Sequence, residues 1–208
     1  MSKKYGKPGI NLAFMGSGSG SVFEAAVKHF SDIKIPVEIT CISNVRNAHI
    51  LECARKLNIK AEYVPFEKNF EYFSDNKFDL TALAYYTKNL QPEVLKLGMF
   101  INIHPSLLPA FKGKDAIRHA FLAGVKVSGV TAHRVEDRTG SGRIIAQYPV
   151  LIGNLTHFDE FEAEIHKIEH ALYPVVIEKI LHDEVFDFSD LLGAPKPGCG
   201  GCGGCGGN

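Results

Sequence analysis

An apolar run, Ile10-Asn11-Leu12-Ala13-Phe14-Met15, passes directly into Gly16-Ser17-Gly18-Ser19-Gly20-Ser21. A stretch with helical apolar spacing follows at once, through Val22, Ala25, Ala26 and Phe30. A short, nearly continuous apolar run suits a strand buried on both faces of a parallel sheet. Strand, glycine loop and helix in immediate succession open a βαβ unit, and this constrains the chain to a layered α/β architecture.

The downstream pattern repeats the alternation. Val37 to Ser43 reads as a second strand and Ala48 to Leu57 as a helix with Ile50, Leu51, Ala54 and Leu57 on one face. Tyr63-Val64-Pro65-Phe66 reads as a short extended piece and Phe78 to Tyr86 as a third clear strand. Pro92 stands where a helix tolerates proline, at its first turn. Phe100 to His104 is a fourth strand, ended by Pro105. Ala116 to Ala123 looks helical and stops at Gly124. Val127 to Val135 and Arg143 to Ile152 read as neighbouring strands across the polar loop Glu136 to Gly142, an antiparallel pair added to a parallel sheet. Thr156 and Asp159 have capping-box spacing ahead of a helix through Phe161, Ile165, Ile168, Leu172, Val176 and Ile180, which Pro174 should kink or split. The expected organisation is one domain over residues 1–192, doubly wound and mostly parallel with an antiparallel carboxyl-side addition, followed by a flexible Gly/Cys-rich tail over 193–208.

Composition narrows the function classes. Lysine plus arginine equals aspartate plus glutamate, 23 each, with no long basic run. Such a chain carries no electrostatic footprint for nucleic acid or an anionic membrane. The apolar stretch from Ile10 to Met15 is too short for a secretory core, and no run approaches transmembrane length, so a cytoplasmic protein is expected. Cys41 and Cys53, among apolar neighbours, read as buried reduced thiols. His29, His119, His157 and His182 read as surface residues.

The glycine turn aims backbone N–H groups and a helix dipole at an anion. A dinucleotide fold would want G-x-G-x-x-G and an acidic residue at the end of the second strand. Here Ser21 takes the third glycine's place and the second strand ends in Ser43-Asn44, so a nicotinamide dinucleotide does not fit. The sharper reading is a site for one phosphate, helped by the hydroxyls of Ser17, Ser19 and Ser21; the blander one is a turn that needs glycine geometry and binds nothing. Asn102 and His104 alternate on a strand, so both leave the same face near its carboxyl edge, where open α/β sheets bind ligands. An amide can hold a developing oxyanion and an imidazole can shuttle a proton. Taken alone, the pair could equally be structural.

The segment Asn102-Ile103-His104-Pro105-Ser106-Leu107-Leu108-Pro109 resembles the signature of the folate-dependent formyltransferases. Other segments agree in order and spacing over roughly residues 9 to 181: Ser17-Gly18-Ser19-Gly20-Ser21, Ile42-Ser43-Asn44 with Ala54-Arg55, Gly129-Val130-Thr131-Ala132-His133, and Glu169-His170-Ala171-Leu172-Tyr173-Pro174. The likeness is nearest to those members that formylate glycinamide ribonucleotide in purine synthesis. It implies a Rossmann-like sheet with a nucleotide-type amino half and a folate-binding carboxyl half. It implies 10-formyltetrahydrofolate as co-substrate and a small-molecule amine as acceptor, with no nucleic acid, membrane or metal. By resemblance Asn102 holds the formyl oxygen, His104 is the charged or proton-donating partner and His133 lines the same cleft. Ser17, Gly18, Ser19, Gly20 and Ser21 take the substrate phosphate and Glu169 its ribose. Tyr85, Tyr86, Thr87, Lys88, Asn89 and Leu90 receive the pterin, together with the loop after His133, which includes Gly140.

The chain departs from the family pattern at named positions. Seven residues after the second histidine the family carries an aspartate that positions a water; here Gly140 stands in that place, and Asp137 and Glu136 are the nearby carboxylates. Asp137 is the candidate replacement. Val22 stands where the phosphate loop usually has asparagine, and Lys88 where arginine is common, keeping charge without the guanidinium fork. Two alternatives follow: transfer to a different amine, of a sugar nucleotide or a peptide, or a catalytically weak folate- or nucleotide-binding relative. A formyltetrahydrofolate hydrolase fits less well, because such enzymes usually carry a further regulatory domain. Cys199, Cys202 and Cys205 in the tail have the spacing of metal ligands but are one short of a closed site. They can equally be unstructured, or be recognised by a partner or a modifying enzyme.

Overall fold

The computed structural model describes residues 9–137, 142–153 and 157–187. Among them, β1 (Ile10–Met15), β2 (Val37–Ser43), β3 (Lys60–Tyr63), β4 (Leu80–Leu83) and β5 (Phe100–His104) pair in parallel. Then β6 (Val127–Arg134) joins β5 antiparallel, and β7 (Ile144–Leu151) joins β6 antiparallel. The strand order is β3-β2-β1-β4-β5-β6-β7. The chain therefore builds outward from β1 in one direction, returns, and builds outward from β4 in the other. The crevice between the carboxyl ends of β1 and β4 is the topological switch point, where such sheets take ligands.

Side-chain parity explains why the central strands are mostly apolar on both faces. Leu12 and Phe14 enter one core, while their neighbours Ala13 and Met15 enter the core on the opposite face. The larger core is covered by α1 (Ser21–Asp32), α2 (His49–Lys56), α5 (Ala116–Leu122) and α6 (Phe158–Leu181). The smaller is covered by α3 (Asn69–Asp75) and α4 (Pro92–Leu95), through Phe73 and Val94. Along β5, Ile101 and Ile103 point to the larger core and Phe100 to the smaller, so Asn102 and His104 share the face of Phe100.

Several expectations need correction. The extended piece at 63–66 is instead the end of β3 followed by a 3-10 turn at Phe66–Lys68, and α3 has no counterpart in the periodicity because its apolar residues are aromatic and few. The third strand is shorter than its apolar run, because Tyr85 adopts a left-handed φ of 56° and ends the extension. Pro174 does not split α6, which runs unbroken over 24 residues. An interior proline costs about 3 kcal/mol, but Leu172, Tyr173, Val176 and Ile177 are fully buried beside it, each contributing roughly 1.5–3 kcal/mol. The single Tyr173 hydroxyl hydrogen is shared between the carbonyls of Leu83 (2.8 Å) and Ile101 (3.1 Å), tying the helix to β4 and β5. The N-cap of α6 is His157, with no side-chain cap bond; Thr156 lies outside the described residues. His182 is buried rather than a surface residue, and His29 is half-buried, 2.7 Å from Glu178. Cys41 and Cys53 are free and buried, and burial pushes the Cys41 thiol up to about 12. The tail at 193–208, with Cys199, Cys202 and Cys205, lies outside the described residues, as does Gly140. No described helix is long and apolar enough to cross a membrane.

Candidate active site

Antiparallel pairing of β5 with β6 sets Asn102 directly opposite His133 and His104 opposite Thr131. The Asn102 amide Nδ2 lies 3.2 Å from His133 Nε2, and His133 Nδ1 lies 2.8 Å from the Arg134 carbonyl. A carbonyl can only accept, so Nδ1 carries the proton and Nε2 accepts from the amide. The same reasoning places the proton of His104 on Nε2, which donates to the Phe111 carbonyl at 3.0 Å. Burial holds both imidazoles below the usual histidine range. At His104 the Phe111 carbonyl and the charge of Glu169 oppose the shift, and at His133 the Arg134 carbonyl does, while His104 adds to it. Both rings are therefore neutral near pH 7. His104 Nδ1 bonds to no described residue, so it is a proton acceptor before it is a donor.

The loop after β5 is held by a network that the sequence reading did not assign. Thr131 Oγ1 donates to the Ser106 carbonyl (2.6 Å) and accepts from the Leu108 amide (3.0 Å) and from Gln147 Nε2 (3.0 Å). Ser106 Oγ donates to the Ala110 carbonyl at 2.6 Å. These bonds fix the position of the Phe111 carbonyl, and hence the His104 ring. Thr131 could have been found from its alternation with His133 on one strand.

On the other side of the switch point, the loop 16–20 joins β1 to α1. Gly20 caps α1 with φ 89° and no side-chain cap bond, and a Cβ there would meet the Ile50 Cα at 3.0 Å. Glycine is thus required both by conformation and by the close passage of α2. The first-turn N–H groups of α1 are left open to an anion. Gly18, Ser19, Gly20 and Ser21 line a shallow, solvent-open cleft with Phe14, Ile50 and Tyr85. Ser17 behaves differently from its neighbours. Its Oγ donates to Asn44 Oδ1 at 2.7 Å and accepts from the Thr87 amide at 3.2 Å, so it braces the loop rather than facing the cleft. Val22, at 2 % exposure, is a core residue.

Glu169, on α6, meets the cleft through Tyr85. Its carboxyl is wholly buried, and Oε2 accepts from the Tyr85 hydroxyl (2.7 Å) and from His166 Nδ1 (2.8 Å). Oε1 has no partner among the described residues. The Glu169 bond holds the His166 imidazole above its usual range, against the opposing effect of burial. His166 was not singled out from sequence, although its i, i+3 spacing from Glu169 on a helix would have suggested it. Within segment 85–90, Tyr86 accepts from Asn69 Nδ2 at 3.1 Å and Leu90 is buried, while Thr87, Lys88 and Asn89 are exposed. Asp137 is exposed, and Glu136 Oε2 accepts from the Arg143 amide at 3.1 Å. Among the described residues no cluster has the geometry to hold a metal ion.

The arrangement, two neutral imidazoles and an amide at a strand edge facing a glycine loop, suits acyl transfer to an amine held by an anionic group. Known proteins agree. The formyl transferase family model matches residues 10–177. A phosphoribosylglycinamide formyltransferase of Bacillus subtilis is 36 % identical over 183 residues, covering 82 % of this chain and 94 % of that protein. A mitochondrial formyltetrahydrofolate deformylase of Arabidopsis thaliana is 33 % identical over 175 residues, 78 % of this chain but 52 % of its own. The crystal structure of glycinamide ribonucleotide transformylase 1 from Geobacillus kaustophilus superposes with a TM-score of 0.76 at 35 % identity, covering 82 % of this chain and 98 % of that one. With the family model matching most of the chain and both sequence and fold shared with these relatives, the chain belongs to the formyl transferase family.

Proposed function

We propose that the chain transfers a formyl group from 10-formyltetrahydrofolate, its co-substrate, to the primary amine of glycinamide ribonucleotide, a step of purine synthesis in the cytoplasm. The observation that carries this reading is the pairing of Asn102 with His133 beside a His104 whose Nδ1 is free of protein partners among the described residues. The residues fit the co-substrate. Asn102 and His104 are half-buried, so an amide hydrogen and an imidazole nitrogen remain for a ligand, and Leu90 adds an apolar wall.

The folate supplies an activated formyl carbon, which the acceptor amine attacks. The chain's own residues manage charge and protons. Asn102 gives one amide hydrogen to His133 and directs the other at the formyl oxygen, where negative charge develops; a fixed donor of this kind is worth about 10²–10³ in rate. His104 Nδ1 takes the proton released by the attacking amine and returns it to the departing folate nitrogen. The glycine loop and the N-terminus of α1 hold the acceptor's phosphate through Gly18, Ser19, Gly20 and Ser21, and Glu169 takes a hydroxyl of its sugar. The folate sits along segment 85–90, to which Tyr85 contributes backbone only because its side chain turns to Glu169, and along the loop after His133, with Asp137 standing in for the family aspartate that Gly140 replaces. The catalytic domain spans residues 1–192, with 193–208 as a tail that can be recognised or modified at Cys199, Cys202 and Cys205.

Mixing the protein with 10-formyltetrahydrofolate and glycinamide ribonucleotide and following tetrahydrofolate release tests the reading. Turnover that His104→Ala abolishes supports it. Folate binding without turnover points instead to a weak relative, the reading favoured by Gly140. Turnover only with another amine identifies a different acceptor.

A further inference from the structure

Tyr85 stands at the carboxyl end of β4 with a left-handed φ of 56°, a conformation that a tyrosine adopts at a cost. It begins segment 85–90, yet its side chain does not turn toward β5. Its Cβ lies 3.7 Å from where a side chain on Gly18 would begin, and the residue lines the same cleft as Ser19, Gly20 and Ser21. The hydroxyl donates to Glu169 Oε2 at 2.7 Å, with His166 Nδ1 3.2 Å away. Burial and the charge of Glu169 push the phenol well above its usual range, so it remains a protonated donor. Glu169 itself is fully buried, with Oε1 unpartnered. A neutral hydroxyl from a residue that lines the glycine-loop cleft thus covers a buried carboxyl directly behind it.

We propose that Tyr85 is a specificity-determining gate of the acceptor half of the cleft, its phenol covering the fully buried Glu169 carboxyl that an acceptor hydroxyl must reach. An acceptor carrying a hydroxylated sugar binds only by displacing the phenol, and an amine without that hydroxyl binds with the gate in place. The residue is 43 % exposed overall, so its ring can leave on the solvent side without opening either core. The left-handed backbone is a position glycine accepts freely, so Tyr85→Gly removes the gate without adding strain. This inference rests on the proposed ribonucleotide acceptor and names the residue that sets access to it.

The test is steady-state kinetics of wild type, Tyr85→Phe and Tyr85→Gly with glycinamide ribonucleotide and 10-formyltetrahydrofolate, with ribonucleotide binding followed by calorimetry. The expected result is a fall of about tenfold or more in KM and Kd for the ribonucleotide in Tyr85→Gly, and a smaller fall in Tyr85→Phe. KM for the folate stays within about twofold, a split that a merely structural role would not produce. Should the glycine variant fail to fold, Tyr85→Phe decides alone. A ribonucleotide KM that is unchanged or raised, in a wild type that turns over, overturns the gate and leaves the proposed function standing. Absence of turnover and of ribonucleotide binding in all three proteins overturns the acceptor reading, and the gate with it.

Discussion

The two halves of the cleft are built by different means. The formyl side uses strand geometry: Asn102, His104, Thr131 and His133 sit on neighbouring strands, and their spacing follows from pairing register. The glycine-loop side is assembled from parts far apart in sequence, with Tyr85 meeting Glu169 across 84 positions and Ser17 meeting Asn44 across 27. A strand pair fixes its side chains wherever the hydrogen-bond ladder forms. A loop closed by side chains from another element can change its fit through one substitution. Chemistry on the rigid half and choice of acceptor on the adjustable half is the division this suggests.

Substitutions at the rigid half should damage rate, and those at the adjustable half should change affinity. The largest effect is expected for His104→Ala: loss of a positioned proton acceptor lowers kcat by about 10²–10⁴-fold, measured by tetrahydrofolate release, with folate binding retained. If kcat falls less than tenfold, the imidazole is not the proton carrier. For Glu169→Gln the expected change is smaller and of another kind. It removes a charge-assisted acceptor, and KM for the ribonucleotide should rise about tenfold while kcat holds within a few-fold. A loss confined to kcat would erase the division between the halves.

Acidity offers a third comparison. Both cleft histidines have folded-state pKa values below the ordinary histidine value. Neutral His104 is the working form, so kcat/KM should be level above about pH 6.5 and fall as the pH drops through the lowered pKa. The same groups contribute stability that is present above the unfolded pKa and lost as pH falls toward the folded one. His166 runs the other way: its raised pKa contributes stability below the unfolded value that is lost as pH rises through the folded one. A His166→Gln variant should therefore show the acid loss of melting temperature more clearly than wild type. An activity that increases on acidification would contradict the proton-acceptor assignment. The smallest effect is expected for Ser17→Ala. Because the Ser17 hydroxyl is bonded to Asn44 and Thr87, this change should cost about 1 kcal/mol of stability, seen as a lowered melting temperature, and raise the ribonucleotide KM less than Ser19→Ala does.

Much of this was legible in the chain. The runs of β1, β2 and β5 coincide with the observed strands at every boundary, because a central strand buried on both faces is largely apolar and each of these is bounded on at least one side by glycine or proline. The pairing of Asn102 with His104 on one face followed from the alternation of a strand alone. Less visible were α3, the early end of β4 at Tyr85 and the integrity of α6 across Pro174. In each case a tertiary contact outweighed the local preference: aromatic packing of Phe73, the reach of Tyr85 to Glu169, and the anchorage of Tyr173 beneath the sheet.

What the sequence by itself determined, then, is the sheet, its glycine turn, and the amide and imidazole at one strand's exit, since all of these depend on short-range periodicity and backbone sterics. Only the tertiary structure decided that Ser17 braces the loop, that Val22 is core, and that Tyr85, His166 and Glu169 share one buried carboxyl oxygen. Apart from the helical spacing of His166 and Glu169, those facts depend on which distant side chains arrive in the same few ångströms, and no local pattern encodes that meeting.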